Sequence, residues 1–185
     1  RWDYRKSTKE IIETFLKEFK PEEPVDLILS IDNVWGDRID GFTTTEERLE
    51  YWNLKDDRLK TKHFSSRKDY ITYLKNGHVF LSCARSEGWN LPLIEAMAAK
   101  AFIIIHDNPF NKSGINNQTY SFQRVNDLVK LLDDNSILKY REAFVEANLN
   151  IVNEKYRWDL IVNKYEKYFL EILNHKKVCR YLISK

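Results

Sequence analysis

Apolar residues recur at helical spacing from Lys9 to Phe19, where Ile11, Ile12, Phe15, Leu16 and Phe19 share one side and Pro21 stops the run. After Pro24 the pattern changes to a continuous apolar run, Val25 to Ile31, which predicts a strand. The alternation then repeats. Arg58 to Phe64 predicts a strand, and Arg67 to Lys75 a helix with Tyr70, Ile71 and Leu74 turned inward. Gly77 to Cys83 reads as a buried strand, a helix starts at Leu91, and Ala101 to Ile105 is a second buried strand. A loop over Asp107 to Gln118 leads to a short strand, Thr119 to Phe122. Asn126-Asp127 would cap a helix over Leu128 to Leu132, and Ile137 to Asn153 and Trp158 to Asn174 predict two long helices. The segment Gly36 to Asp57 is the least patterned. Within it, Thr43-Thr44-Thr45-Glu46-Glu47 has the form of a helix start with acidic residues in its first turn, which suggests a short excursion between two strands. Strands and helices in alternation predict an α/β domain with a parallel sheet and helices on both faces. No repeat, low-complexity stretch or linker divides the chain. Residues 1–185 therefore read as one domain, with 154–185 as a closing helix and tail.

Composition changes this picture little. A chain of 185 residues is long enough to bury a sizeable core. Its net charge of +2 gives no argument for nucleic acid, and 14% aromatic residues with five glycines argue against disorder. Cys83 closes a predicted buried strand and Cys179 lies in the tail, so no structural disulfide and a reducing compartment are expected. No apolar run approaches a membrane span, and no signal peptide is expected. The cytoplasm is the expected location. The tail Lys176-Lys177-Val178-Cys179-Arg180-Tyr181 leaves a peripheral contact with an anionic membrane open, but a frayed, solvated terminus is the preferred reading. The chain starts on Arg1 rather than Met, and the expectation is a fragment whose upstream half is missing.

The chemistry concentrates in Ser86-Glu87-Gly88-Trp89-Asn90-Leu91-Pro92-Leu93-Ile94-Glu95-Ala96-Met97. It joins two predicted strands, and strand, Gly turn, helix, strand is a βαβ unit whose turn faces the carboxyl edge of the sheet, where open α/β folds bind ligands. Asn90 is the expected N-cap, and Pro92 is tolerated in the first turn because its missing N–H costs nothing there. The free N–H groups of that turn would face the crevice and favour an anion such as a diphosphate. Glu87 stays in the loop and Glu95 lies about one turn into the helix, so both can face one ligand. Carboxylates are poor partners for phosphate but good acceptors for hydroxyls. A ligand with hydroxyls at both ends and phosphates between them is a nucleotide-sugar.

These residues resemble the E-x7-E signature of the retaining GT-B glycosyltransferases of the family-4 type, whose usual form is S-x-E-G-[FW]-G-L-P-x-x-E-A-M-A-x-G. The start of the chain, Arg1-Trp2-Asp3-Tyr4-Arg5-Lys6-Ser7, is similar to that family's G-R-[LW]-x-x-x-K-G. Tyr156-Arg157-Trp158-Asp159 stands where the family often has an aromatic-Ser/Thr-Trp before its last helix. The resemblance thus covers nearly the whole chain, as one domain of a two-domain enzyme with a Rossmann-like sheet. It implies that Glu87 contacts the donor sugar, that Glu95 holds the ribose hydroxyls, and that Arg1 and Lys6 hold the diphosphate. Gly88, Trp89, Asn90 and Leu91 would complete the donor site. For Trp89, plugging the crevice wall and contacting the sugar stand as equal readings.

The departures are Asn90 and Lys100 where the family has Gly, Phe102 where it has Pro, and Ser7 for the Gly after Lys6. Asn tolerates the left-handed region, and Lys complements a helix C-terminus. No donor-binding side chain is lost. His63, His78, His106 and His175 form no metal constellation, and no Asp-x-Asp occurs, so no metal and no cofactor are expected beyond the nucleoside-diphosphate sugar as substrate. His63 lies where the nucleotide base could come, although a satisfied structural histidine is the preferred reading, and His106-Asp107 reads as loop filler. The function implied is retaining, metal-independent transfer of a sugar, of the hexosyltransferase type. The acceptor is a glycan, lipid-linked or protein hydroxyl held by the missing domain, and this chain alone would be inactive. The alternative is a non-catalytic nucleotide- or sugar-binding module of the same fold.

Overall fold

The structure, a computed structural model, describes residues 4–30, 41–42, 44–107, 120–122 and 136–174. A 3-10 turn, Tyr4–Lys6, leads into α1, Thr8–Glu18. Strand β1 is Leu27–Leu29, α2 is Thr45–Tyr51, β2 is Leu59–Thr61 and α3 is Arg67–Asn76. Then follow β3, Val79–Ser82, α4, Leu91–Ala98, β4, Phe102–His106, and β5, Tyr120–Phe122. The described part closes with α5, Ser136–Ile151, a π-helical turn, Val152–Tyr156, and α6, Trp158–Asn174. The expected helix at Leu128 to Leu132, the loop from 108 and the basic tail lie outside the described residues.

Every pairing between described strands is parallel. β1 pairs with β2, Leu27 opposite Leu59; β3 pairs with β4, Val79 opposite Phe102; and β4 pairs with β5, Ile104 opposite Tyr120. Parallel strands with helices between them are the architecture the alternation predicts. β4 is the centre of the packing, because Phe102, Ile103, Ile104 and Ile105 are all buried. Successive side chains point to opposite faces. Ile103 and Ile105 pack with Leu93, Ala96 and Met97 of α4 and with Ile151. Phe102 and Ile104 pack with Cys83, Ile11 of α1 and Phe144 and Val145 of α5. Helices thus cover both faces, and truncating one of these isoleucines to alanine costs about 2–5 kcal/mol. A third cluster, Ile12, Leu29 and Leu49, seats α1 and α2 on the β1–β2 pair.

Several boundaries differ from the sequence expectation. β1 and β2 are three residues each, shorter than the runs Val25 to Ile31 and Arg58 to Phe64; just before β2, Arg58 accepts through its carbonyl from the Leu27 N–H while its side chain forks onto Asp56 at 2.8 Å and donates to the carbonyls of Phe19 and Lys20. That fork holds the Asp56 carboxyl at about 2. β3 is only partly buried: Val79 is exposed, and burial is complete at Ser82 and Cys83. The Thr44 hydroxyl accepts from the Glu47 N–H while the Glu47 carboxylate accepts from the Thr44 N–H, so the acidic helix start in the unpatterned segment is a full capping box. α6 carries an exposed row, Trp158, Val162, Tyr165, Phe169 and Leu173, at helical spacing.

Candidate functional site

The site forms where β3 ends. Residues 83–90 leave the sheet, and α4 starts at Leu91. Glu87 lies in this loop, its side chain 12% exposed, and its carboxylate accepts from the Lys6 ammonium on Oε1 and from Arg5 Nη1 at 2.9 Å on Oε2. Arg5 Nη1 also donates to the Ser86 carbonyl at 2.8 Å. Lys6 and Glu87, placed in one site by their motifs, are thus in contact across 81 positions of chain. Arg1 lies outside the described residues.

Arg85 joins the two segments. Its main-chain N–H donates to the Arg5 carbonyl at 2.8 Å, and its Nη2 bonds both oxygens of Glu10 at 2.6 Å. Nε donates to Ser7 Oγ at 2.9 Å, Nη1 to the Tyr4 hydroxyl, and the guanidinium carbon lies 4.1 Å from the Tyr4 ring centroid. Ser7 is buried with φ 54°, in the left-handed region. The backbone shape that the family's glycine would provide is therefore kept, at a cost of about 1 kcal/mol or more, while the hydroxyl meets Arg85. Lys100 repeats this at the end of α4: at φ 64° its N–H bonds the Met97 carbonyl at 3.1 Å, and the next N–H bonds Ala96 at 3.0 Å. This is the left-handed helix ending that usually takes glycine.

Glu95 is on α4, its carboxylate 19% exposed and 2.6 Å from Arg67 Nη2 of α3. Tyr70, on the same helix, bonds Glu95 as well; burial first and this carboxylate second push its hydroxyl up to about 12. Lys62, His63, Phe64 and Ser65, with Asp69, Thr72, Tyr73 and Asn76 of α3, line an open groove of about 330 Å³, and Phe64 meets Tyr70 at 5.3 Å between ring centroids. His63 is exposed here.

Two expectations about the start of α4 are corrected. Asn90 sits at the N-cap but makes no side-chain cap bond; its amide donates to Ser82 Oγ at 2.9 Å, and its φ of −81° is not left-handed. The first-turn N–H groups are not free either. Leu91 donates to Trp89 O, Leu93 and Ile94 to Asn90 O, and Pro92 has none. Positive charge at this edge comes chiefly from side chains. Trp89 is 65% exposed and meets Tyr156 of the π-helical turn edge-on at 6.0 Å. Leu91 is 59% exposed, and a Cβ placed on Gly88 would meet nothing within 4 Å. His106 ends β4 and is half-buried, with Asp107 next to it. Among the described residues no group of three or more His, Cys, Asp or Glu is placed to hold a metal, and no helix is long and apolar enough to cross a membrane. Arg5, Arg85, Arg67 and Tyr70 escaped the sequence reading, because none of them carries a motif.

Solved structures share this architecture. A glycosyltransferase from Rickettsia africae is 19% identical with a TM-score of 0.76, over 95% of this chain and 47% of that one. HepE of Anabaena, solved in complex with UDP-glucose, is 13% identical with a TM-score of 0.74, over 93% of this chain and 47% of its own. The C-terminal domain of LpcC, a group 1 family glycosyl transferase from Francisella tularensis, is 18% identical with a TM-score of 0.63, over 84% and 82%. The chain spans about half the length of the first two proteins. No curated protein matches in sequence. The fold is that of the Rossmann-like C-terminal half of GT-B glycosyltransferases. The sequence pattern of the family described as "Glycosyl transferases group 1" matches residues 38–148, more than half of the chain including both Glu87 and Glu95, and the protein belongs to that family of sugar-transferring enzymes.

Proposed function

We propose that this domain binds a nucleoside-diphosphate sugar and supplies the donor half of a retaining, metal-independent hexosyltransferase acting on an acceptor hydroxyl. The observation that carries this reading is the contact of the amino-terminal cations with Glu87 at the carboxyl edge of the sheet, with Glu95 on the following helix. Lys6, with Arg1, would neutralise the leaving diphosphate as charge builds in an oxocarbenium-like transition state. Glu87 would orient the sugar and Glu95 the ribose, with Gly88, Trp89, Asn90 and Leu91 as the intervening wall. The groove beside His63 and Phe64 lies next to the helix that carries Arg67 and Tyr70, which suits a nucleobase attached to a ribose on Glu95. The UDP-glucose in HepE supports the donor class. The acceptor, a glycan, lipid-linked or protein hydroxyl, would be held by a further domain, and cytoplasmic work beside a membrane fits such acceptors. Titration of the chain with UDP, GDP and ADP in EDTA tests the reading. Measurable heat from at least one is expected, and silence from all three at about millimolar concentration, where binding energy has fallen to roughly 4 kcal/mol, would overturn it. Transfer itself is expected only from a longer protein that includes the acceptor domain, because positioning the attacking hydroxyl can contribute several kcal/mol.

A further inference from the structure

Arg5 occupies a position that the resemblance leaves unassigned, yet its guanidinium is 2.9 Å from one oxygen of Glu87 while Lys6 takes the other. Two adjacent cations on one carboxylate only 12% exposed leave a cradle with a surplus of positive charge. The planar fork of arginine suits phosphate as well as carboxylate. The first-turn N–H groups of α4 are already engaged, so an anion arriving here meets these side chains. We propose that Arg5 is a further cation of the diphosphate subsite, and that Glu87 is the internal counter-anion of Arg5 and Lys6, displaced when a diphosphate arrives. This rests on the donor reading above.

The exchange has a consequence for selectivity. A nucleotide-sugar takes the two cations from Glu87 and offers its sugar hydroxyls to the freed carboxylate. A nucleoside diphosphate without sugar takes the cations and offers nothing in return. Glu87 therefore opposes free nucleotide and favours its release after transfer. Arg85 keeps the exchange local, because it binds the Arg5 carbonyl, Ser7, Tyr4 and Glu10 and so holds the cationic turn in place whether Glu87 is paired or displaced.

The test is calorimetric titration of inorganic pyrophosphate and of UDP, GDP and ADP into the wild type and the variants Glu87→Gln, Arg5→Gln and Arg5→Lys, with thermal melts alongside. Glu87→Gln is expected to tighten pyrophosphate and nucleoside diphosphate by about three- to tenfold, as removal of a competing partner requires. Arg5→Gln should weaken both by a similar factor, and Arg5→Lys should recover part of the loss. If Glu87→Gln does not fold, Glu87→Asp, which draws the charge back by one methylene, must still tighten pyrophosphate. Unchanged or weaker pyrophosphate binding by a folded Glu87 variant overturns the exchange, and an Arg5→Gln protein that binds like wild type overturns the assignment of Arg5. The donor reading fails separately: tighter pyrophosphate with no nucleotide binding leaves the exchange standing and removes the donor. Nucleotide binding that ignores Glu87→Gln does the reverse, and silence from every anion removes both.

Discussion

The Glu87 corner and the Glu95 corner use the same chemistry, a carboxylate against arginine, and are built in opposite ways. Glu87 meets Arg5 and Lys6 across 81 positions of chain, over a base in which Arg85 binds Glu10, Ser7 and Tyr4. Glu95 meets Arg67, whose side chain is 74% exposed, from the neighbouring helix. Many partners converging on one part-buried arginine hold a geometry, whereas the Glu95 corner rests on the half-buried Tyr70 and on one exposed arginine, which loses side-chain entropy and gains little. The difference teaches that the Glu87 corner is held by a network and the Glu95 corner by few contacts; on the proposed reading these are the diphosphate and ribose ends of the donor.

Arg85→Ala is expected to have the largest effect, because it removes several charged hydrogen bonds at once. A loss of about 2–3 kcal/mol in urea unfolding is expected, with a fall in pyrophosphate affinity that Arg85→Lys only partly restores. A loss within experimental error would mean that the corner is not preformed. Glu95→Ala should follow, weakening nucleotide binding by about 1–3 kcal/mol with stability almost unchanged. Equal or greater loss of free-nucleotide affinity in Glu87→Ala would show that the two carboxylates are assigned the wrong way round.

The two left-handed residues give a smaller contrast. Lys100→Gly relieves backbone strain with no side-chain bond to lose in return, and should raise stability by about 1 kcal/mol. Ser7→Gly relieves similar strain but gives up the Arg85 bond, so its melting temperature should stay near wild type. A stabilised Ser7→Gly would show that the hydroxyl contributes little. Arg67→Ala is the smallest, a change of at most about 0.5 kcal/mol in stability. The Glu95 corner has a titration signature as well. Tyr70 is raised to about 12, so the stability it contributes is complete below its ordinary value near 10. That contribution is lost as pH rises from about 10 to 12. Ultraviolet titration should show late-ionising tyrosine, Tyr70 with Tyr156 also raised by burial, and Glu95→Gln should move only the Tyr70 component earlier.

The sequence by itself determined what depends on neighbours along the chain. Helical periodicity located α1 and α3, and the buried runs located β4. Glu87 and Glu95 stand out by their spacing around one turn and one helix, and the resemblance to the family pattern adds Lys6. Tertiary structure decided what depends on groups distant in sequence. Arg85 and Glu10 look like ordinary surface charges until the loop and the amino-terminal turn meet, 75 positions apart. The left-handed backbone at Ser7 and Lys100 runs against residue preference, and it persists because packing and the helix ending demand it. Asn90 was read as a cap from its type and place, but the amide found Ser82 at the end of the adjoining strand, and the first-turn N–H groups found carbonyls. A hydrogen-bond donor goes to the acceptor the fold brings within reach, and that choice is made in three dimensions rather than along the chain.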